Sequence, residues 1–257
     1  MSVTEMMLLV GAGGLGGVAS AMVGGASLFT FPALIYCGVV PVMANASNSV
    51  ALTPGSFLAA WSDRRALPAW TPVVLTLMVA SFLGGGAGAL LLVLTPADVF
   101  VVAIPLLIAM ASVLFHQADR IRLAVSAMHS RPAGQTPLLL SAGAVFVVSV
   151  YGGYFGAGLG ILLLAALSAT VGGEFREINA LKNLLGGLTS SIAVVLFAAQ
   201  GLVAWHPTLL VMAGASAGSL IGAQLLRFIR PSAMRTGIVG FGAGLTLWYA
   251  YRYWFAN

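Results

Sequence analysis

Residues 70–72 read Trp-Thr-Pro, and residues 205–207 read Trp-His-Pro, 135 positions further on. The same offset pairs Pro96 with Pro231, Asn48 with Asn183, Gly38 with Gly173, and Ala80-Ser81 with Ala215-Ser216. Gly17 and Gly25 return as Gly152 and Gly160. Leu and Ala coincidences carry little weight in so apolar a chain, but Trp, Pro and Asn are rare letters in it. One fixed offset across them predicts a duplicated chain. Duplicated membrane chains are the usual build of transporters, with the substrate path between the halves.

Sixty per cent of the 257 residues are hydrophobic and 7% are charged, against about 25% charged in a soluble domain. Such a chain cannot cover a soluble surface. The expected class is an all-α polytopic membrane protein whose solvent is largely the lipid bilayer. The pI near 9.9 does not point to nucleic acid, because the basic residues sit at the ends of apolar runs and do not interleave with aromatic residues. Cys37 is the only cysteine, which excludes a disulfide framework and a cysteine-built metal site. His116, His129 and His206 have no Cys, Asp or Glu at ligand spacing, so no metal is expected. No P-loop, HExxH or Ser/His/Asp set is present, and neither a cofactor nor enzyme chemistry is expected. The opening residues lack the positive n-region of a signal peptide, so Met6 is expected to begin the first mature span.

Apolar runs separated by charge, Gly and Pro number five per half. The first half gives Met6 to Val23, Leu28 to Val40, Val42 to Ser62, Trp70 to Leu94 and Val99 to Phe115. The second gives Pro137 to Phe155, Gly158 to Val171, Leu181 to Val203, Thr208 to Leu226 and Ile238 to Tyr251. A crossing helix needs roughly 20 residues. The second run of each half is too short and follows a Gly-rich break, so it is either a crossing helix or half of a re-entrant hairpin.

Suppose each of the ten runs reverses the side of the chain; a re-entrant hairpin in place of a Gly-rich pair returns to its own side and leaves the parity unchanged. Then Arg64, Arg65, Arg120, Arg122, Arg131, Arg176, Lys182, Arg227, Arg230 and Arg235 fall on one side and Arg252 alone on the other. The positive-inside rule makes the first side cytoplasmic and leaves both termini outside. Five side changes per half is an odd number, so the second half is expected to be inverted relative to the first. The expected units are a first transmembrane repeat (1–116), a solvated cytoplasmic linker (117–136) and a second repeat (137–257).

The Gly-rich opening, Pro32-Ala33-Leu34, the Val40-Pro41-x-x-Ala44 turn and the stretch Asn45-Ala46-Ser47-Asn48-Ser49 are similar to the TauE/SafE sulfite-exporter family. The stretch Gly152-Gly153-Tyr154-Phe155-Gly156-Ala157-Gly158-Leu159-Gly160 resembles that family's second Gly-rich signature. The resemblance covers nearly the whole chain. It implies an inner-membrane carrier of sulfite, sulfoacetate or a related organosulfur anion. The second half departs from the first at Ala180-Leu181-Lys182-Asn183-Leu184, where Lys182 stands in the place of Ser47.

A transported anion sheds water inside low-dielectric protein and needs donors there. Half-helix N-termini provide them without a full charge, and glycine lets backbone N–H groups come close. Gly24, Gly25 and Ser27 in one half, with Gly158 and Gly160 in the other, are candidates. Close helix packing is the competing reading for any single glycine. Asn48 and Asn183 occupy equivalent positions and can donate to an oxyanion or simply bond a neighbouring helix. Asn45, Ser47 and Thr53 surround Asn48 with further polar groups, and Thr53-Pro54-Gly55 is expected to break the third helix. Lys182 is either a substrate-facing cation or a snorkelling one. No acidic residue lies mid-run, so flux driven by the membrane potential is expected rather than a carboxylate proton relay. Another small-anion carrier or channel, a membrane enzyme and an assembly factor are the alternatives. Pairing with a second copy of the chain stays open.

Overall fold

The computed structural model describes residues 1–22, 25–118, 120–121, 123, 137–225 and 231–255. Most of the expected linker, and Gly24, lie outside these residues. Among them the regular structure is helical, with ten α-helices. The first half holds α1 (Val3–Met22), α2 (Ser27–Tyr36), α3 (Pro41–Ser62), α4 (Pro72–Leu94) and α5 (Ala97–His116). The second holds α6 (Leu138–Tyr154), α7 (Leu159–Thr170), α8 (Phe175–Ala199), α9 (Trp205–Leu225) and α10 (Pro231–Ala250). Each helix of the second half overlaps its first-half counterpart when shifted by 135 residues.

Prolines at the first helical position start α3, α4 and α10, where a missing N–H costs nothing. Thr71 caps α4 by accepting from the Val74 amide at 3.3 Å. Helices α8 and α10 begin well before the apolar runs that predict them. The first turn of α8 carries Arg176 and Glu177, and that of α10 carries Ser232 and Arg235, polar residues that end an apolar run but not a helix. The expected break at Pro54 does not occur: α3 is continuous through it. The Thr53 hydroxyl bonds back to the Ser49 carbonyl at 2.7 Å, within the same helix.

The halves interlock by exchange. Helix α1 packs along α9, and α4 packs along α6, so the first helix of each half lies on the fourth of the other. Both pairs run parallel and touch backbone to backbone. Gly14 faces Gly214 and Gly218, while Gly17 faces Ala215 and Ser219. In the second pair Gly84 faces Phe146, and Gly88 faces Val150. A Cβ on Gly88 would overlap the Val150 carbonyl, and one on Gly218 would overlap that of Gly14. Small residues at four-residue spacing allow this approach, the common device for joining helices in lipid. The third helices pack on each other, as do the fifth.

A buried hydroxyl cluster ties α4, α6 and α8 together. The Ser81 hydroxyl lies 2.8 Å from that of Thr189 and 2.7 Å from the Leu185 carbonyl. Thr189 lies 3.1 Å from Ser149. Side chains such as Leu139, 85% exposed, cover the outside, as a lipid-facing surface requires. Helices α1, α4, α5 and α8 each contain a stretch long and apolar enough to cross a bilayer. The chain is therefore a multi-pass membrane protein.

Candidate functional site at two interrupted helix pairs

The short helices do not cross. At 1.5 Å per residue, α2 with 10 residues and α7 with 12 reach about 15 and 18 Å, against a hydrocarbon core of about 30 Å. Each folds back along its predecessor. Cys37, just past α2, lies beside Glu5 near the start of α1, whereas Gly16 of α1 packs against Ala26 and Thr30. In the second half Ser141, near the start of α6, reaches the Thr170 carbonyl at the end of α7, and Gly152 packs against Leu159. The N-terminus of each short helix thus lies part-way along a longer one, inside the bundle.

Neither start has a side-chain cap among the described residues. Backbone turns engage the Leu28, Phe29, Leu159 and Ile161 amides, and the positive end of each helix dipole faces inward. The preceding turns depend on glycine. Gly25 (φ 98°) and Gly158 (φ 83°) adopt left-handed conformations that a side chain disfavours. A Cβ on Gly25 would sit 3.1 Å from the Phe115 ring, and one on Gly158 3.1 Å from Leu114 Cδ1. Both breaks therefore abut adjacent residues of α5. The Tyr151 hydroxyl donates to the Ala157 carbonyl at 2.5 Å and pins the second break.

Around the first break stand neutral polar groups. Asn48 of α3 donates through Nδ2 to Ser27 Oγ at 3.1 Å, and its Oδ1 bonds the Thr30 hydroxyl. Asn48 and Thr30 are buried, so the amide is held in one orientation. The second Nδ2 proton and the Ser27 hydroxyl proton remain as donors. Thr30 escapes a reading by hydropathy, and its signal is positional: with Ser27 three residues before it, it forms the polar pair on one face of an otherwise apolar α2.

Around the second break the groups are different. Gly160 is exposed, and the Lys182 ammonium lies 4.0 Å from where its Cβ would be. Lys182 Nζ also donates to Asn179 Oδ1 at 2.9 Å, which fixes the ammonium beside the start of α7. Asn183 is half-buried.

The structure thus brings Gly25, Ser27 and Asn48 together in one half, and Gly160 with Lys182 in the other. The remaining candidates face elsewhere. Ser47 accepts from the Ala204 amide at 2.9 Å, ahead of α9. Thr53 bonds within α3. Asn45 donates to the Tyr154 carbonyl at 2.7 Å. No group of three or more His, Cys, Asp or Glu that could hold a metal occurs among the described residues. A groove of about 650 Å³ lies on the outer side of α6, lined by Pro137, Leu139, Leu140, Gly143 and Val147. Its walls are apolar, so it suits lipid rather than an anion.

Residues 9–249 match the family model described as sulfite exporter TauE/SafE. The chain is 27% identical over 223 residues to the probable membrane transporter protein YfcA of Escherichia coli K12, covering 84% of this chain and 81% of that protein. It is 24% identical over 206 residues to a probable membrane transporter protein of Haemophilus influenzae, covering 80% and 79% respectively. No solved structure matches the chain.

Proposed function

Because the chain belongs to the sulfite exporter TauE/SafE family, and is thus a membrane transporter and not an enzyme, we propose that it carries a small sulfur-containing anion such as sulfite or sulfoacetate out of the cell across the inner membrane. The observation that carries this reading is the pair of uncapped, inward-facing helix starts, one beside Ser27 and Asn48 and the other beside Lys182. The anion exchanges its water shell for the positive ends of the two helix dipoles, the Ser27 and Asn48 donors and the Lys182 ammonium. Asn183 borders the Lys182 end of this path.

Alternating access follows if the halves are inverted repeats that rock about the path. The exchange packing of first on fourth helices, and of third on third, supports that symmetry. In the proposed orientation the ten basic residues named above are cytoplasmic and both termini lie outside. An inside-negative potential then favours anion exit by about 2.3 kcal/mol per charge per 100 mV.

Proteoliposomes holding the purified protein test this reading. Saturable uptake of radiolabelled sulfite, stimulated by a potential of the right sign and inhibited by sulfoacetate or thiosulfate, is expected. Folded protein that moves none of these anions would sink the sulfur-anion assignment.

A further inference from the structure

Resting on the two-half carrier reading above, the geometry points to an unequal pair of gates: a built seal on the side where α1 begins, and none at the repeat-equivalent place on the other. On α2, Phe31 lies one turn beyond Ser27 toward the helix end beside Glu5. On α3, Asn45 lies one turn beyond Asn48 toward the helix start. Both therefore stand between the Ser27–Asn48 pair and the face that holds the start of α1.

Each reaches across to the other half. The Phe31 ring meets Phe155 edge-on at 5.6 Å, and Asn45 donates to the Tyr154 carbonyl at 2.7 Å. Phe100 extends the closure by packing edge-on against Tyr154 at 5.9 Å. Phe31, Phe155 and Asn45 are at most 3% exposed.

The 135-residue offset gives the counterparts of these residues. Phe31 corresponds to Ala166, Phe155 to Ser20, Asn45 to Ala180 and Tyr154 to Ala19, while Phe100, outside the Phe31–Phe155 pair, corresponds to Arg235. Two rings and an amide are thus matched by small side chains, which cannot bridge the same gap. Ser20 is exposed where Phe155 is buried.

The seal also carries a built-in cost. Asn45 Oδ1 is buried with no hydrogen-bond partner among the described residues, and an unmet buried acceptor destabilises the state that holds it. Opening this side would admit water to that oxygen. The seal is thus tight but poised to part, and the state seen here is closed toward the α1-start face.

Substituted-cysteine labelling tests this without any substrate, so its failure is separable from failure of the sulfite assignment. In a Cys37→Ser background, Ser27→Cys is exposed to a membrane-impermeant maleimide in vesicles of either orientation. Labelling is expected from the cytoplasmic side and to be at least about tenfold slower from the α1-start side, as a packed aromatic pair and its hydrogen bond provide. Phe31→Ala with Phe155→Ala should abolish that difference. Phe31→Leu with Phe155→Leu, which keeps bulk, should narrow it in protein that still elutes as a single species. Equal labelling from both sides with the seal intact would overturn the proposal, as would an unchanged difference in both double variants.

Discussion

Asn48 and Asn183 hold the same place in the two halves, early in α3 and α8, yet their surroundings differ. Asn48 is buried and locked between Ser27 and Thr30. Asn183 is half-buried and follows a lysine whose head lies beside the exposed Gly160. At the positions of Ser27 and Thr30 the second half has Leu162 and Ala165. The helical frame has thus been kept in both halves while the polar content has diverged. One half offers oriented neutral donors and the other a full positive charge. An anion held between them would take its orientation from the first and most of its electrostatic attraction from the second.

The frame should fail symmetrically. Gly88→Val in the α4–α6 contact and Gly218→Val in the α9–α1 contact both drive a side chain into facing backbone. Each is expected to abolish monodisperse protein in detergent chromatography, overpacking being costly where neither backbone can move. Tolerance of one and not the other would break the equivalence of the two interfaces.

The polar sites should fail unequally. Lys182→Ala is expected to lower sulfite flux about ten- to a hundredfold, the worth of a hydrogen bond to a charged group. Asn48→Ala should cost about fivefold to tenfold, as for a neutral hydrogen bond, and should also lower the melting temperature, because the bonds that tie α3 to Ser27 and Thr30 of α2 are lost. Asn183→Ala is expected to change flux less than about threefold, as at positions without a fixed network. If Asn183→Ala were the worse of the two asparagine variants, the assignment of the locked amide to the first half would be reversed.

Cys37 gives the smallest effect and locates the first hairpin. Burial, and then the Glu5 carboxylate, push its thiol above the usual range. The thiolate fraction at neutral pH is therefore small, and alkylation should keep rising as pH is raised past the ordinary thiol range. A rate that levels off below that range would show that Cys37 does not lie against the start of α1.

Much of the frame was legible because lipid imposes a simple code. A span must be long, apolar and internally bonded, so charges, Pro and Gly mark its ends, and the ten runs correspond to the ten helices. Rare letters at one offset carried the duplication. Reading by pattern failed where a helix continues through polar residues, as at Arg176 and Glu177, and where a helix continues through a proline, as at Pro54. The direction of the short helices was not legible, since length shows that α2 and α7 do not span but not which way they fold. For the proposed site, residue type and spacing point to Asn48 and Lys182. The same spacing could not distinguish Ser47, which faces α9, from Ser27, because which face of a helix meets which neighbour is decided by packing. Thr30 was hidden because a lone threonine in an apolar run usually bonds its own helix, as it also does here to Ala26.

In the proposed carrier both halves hold one anion. A double-mutant cycle on sulfite binding tests it most directly, with dissociation constants measured for the intact protein, Lys182→Ala, Asn48→Ala and the pair. Groups acting on one ligand should couple by more than about 0.5 kcal/mol, the scatter seen for independent sites, so the double variant should bind measurably differently from the sum of the singles. Strict additivity, or binding unchanged by either substitution, would contradict a site shared between the halves.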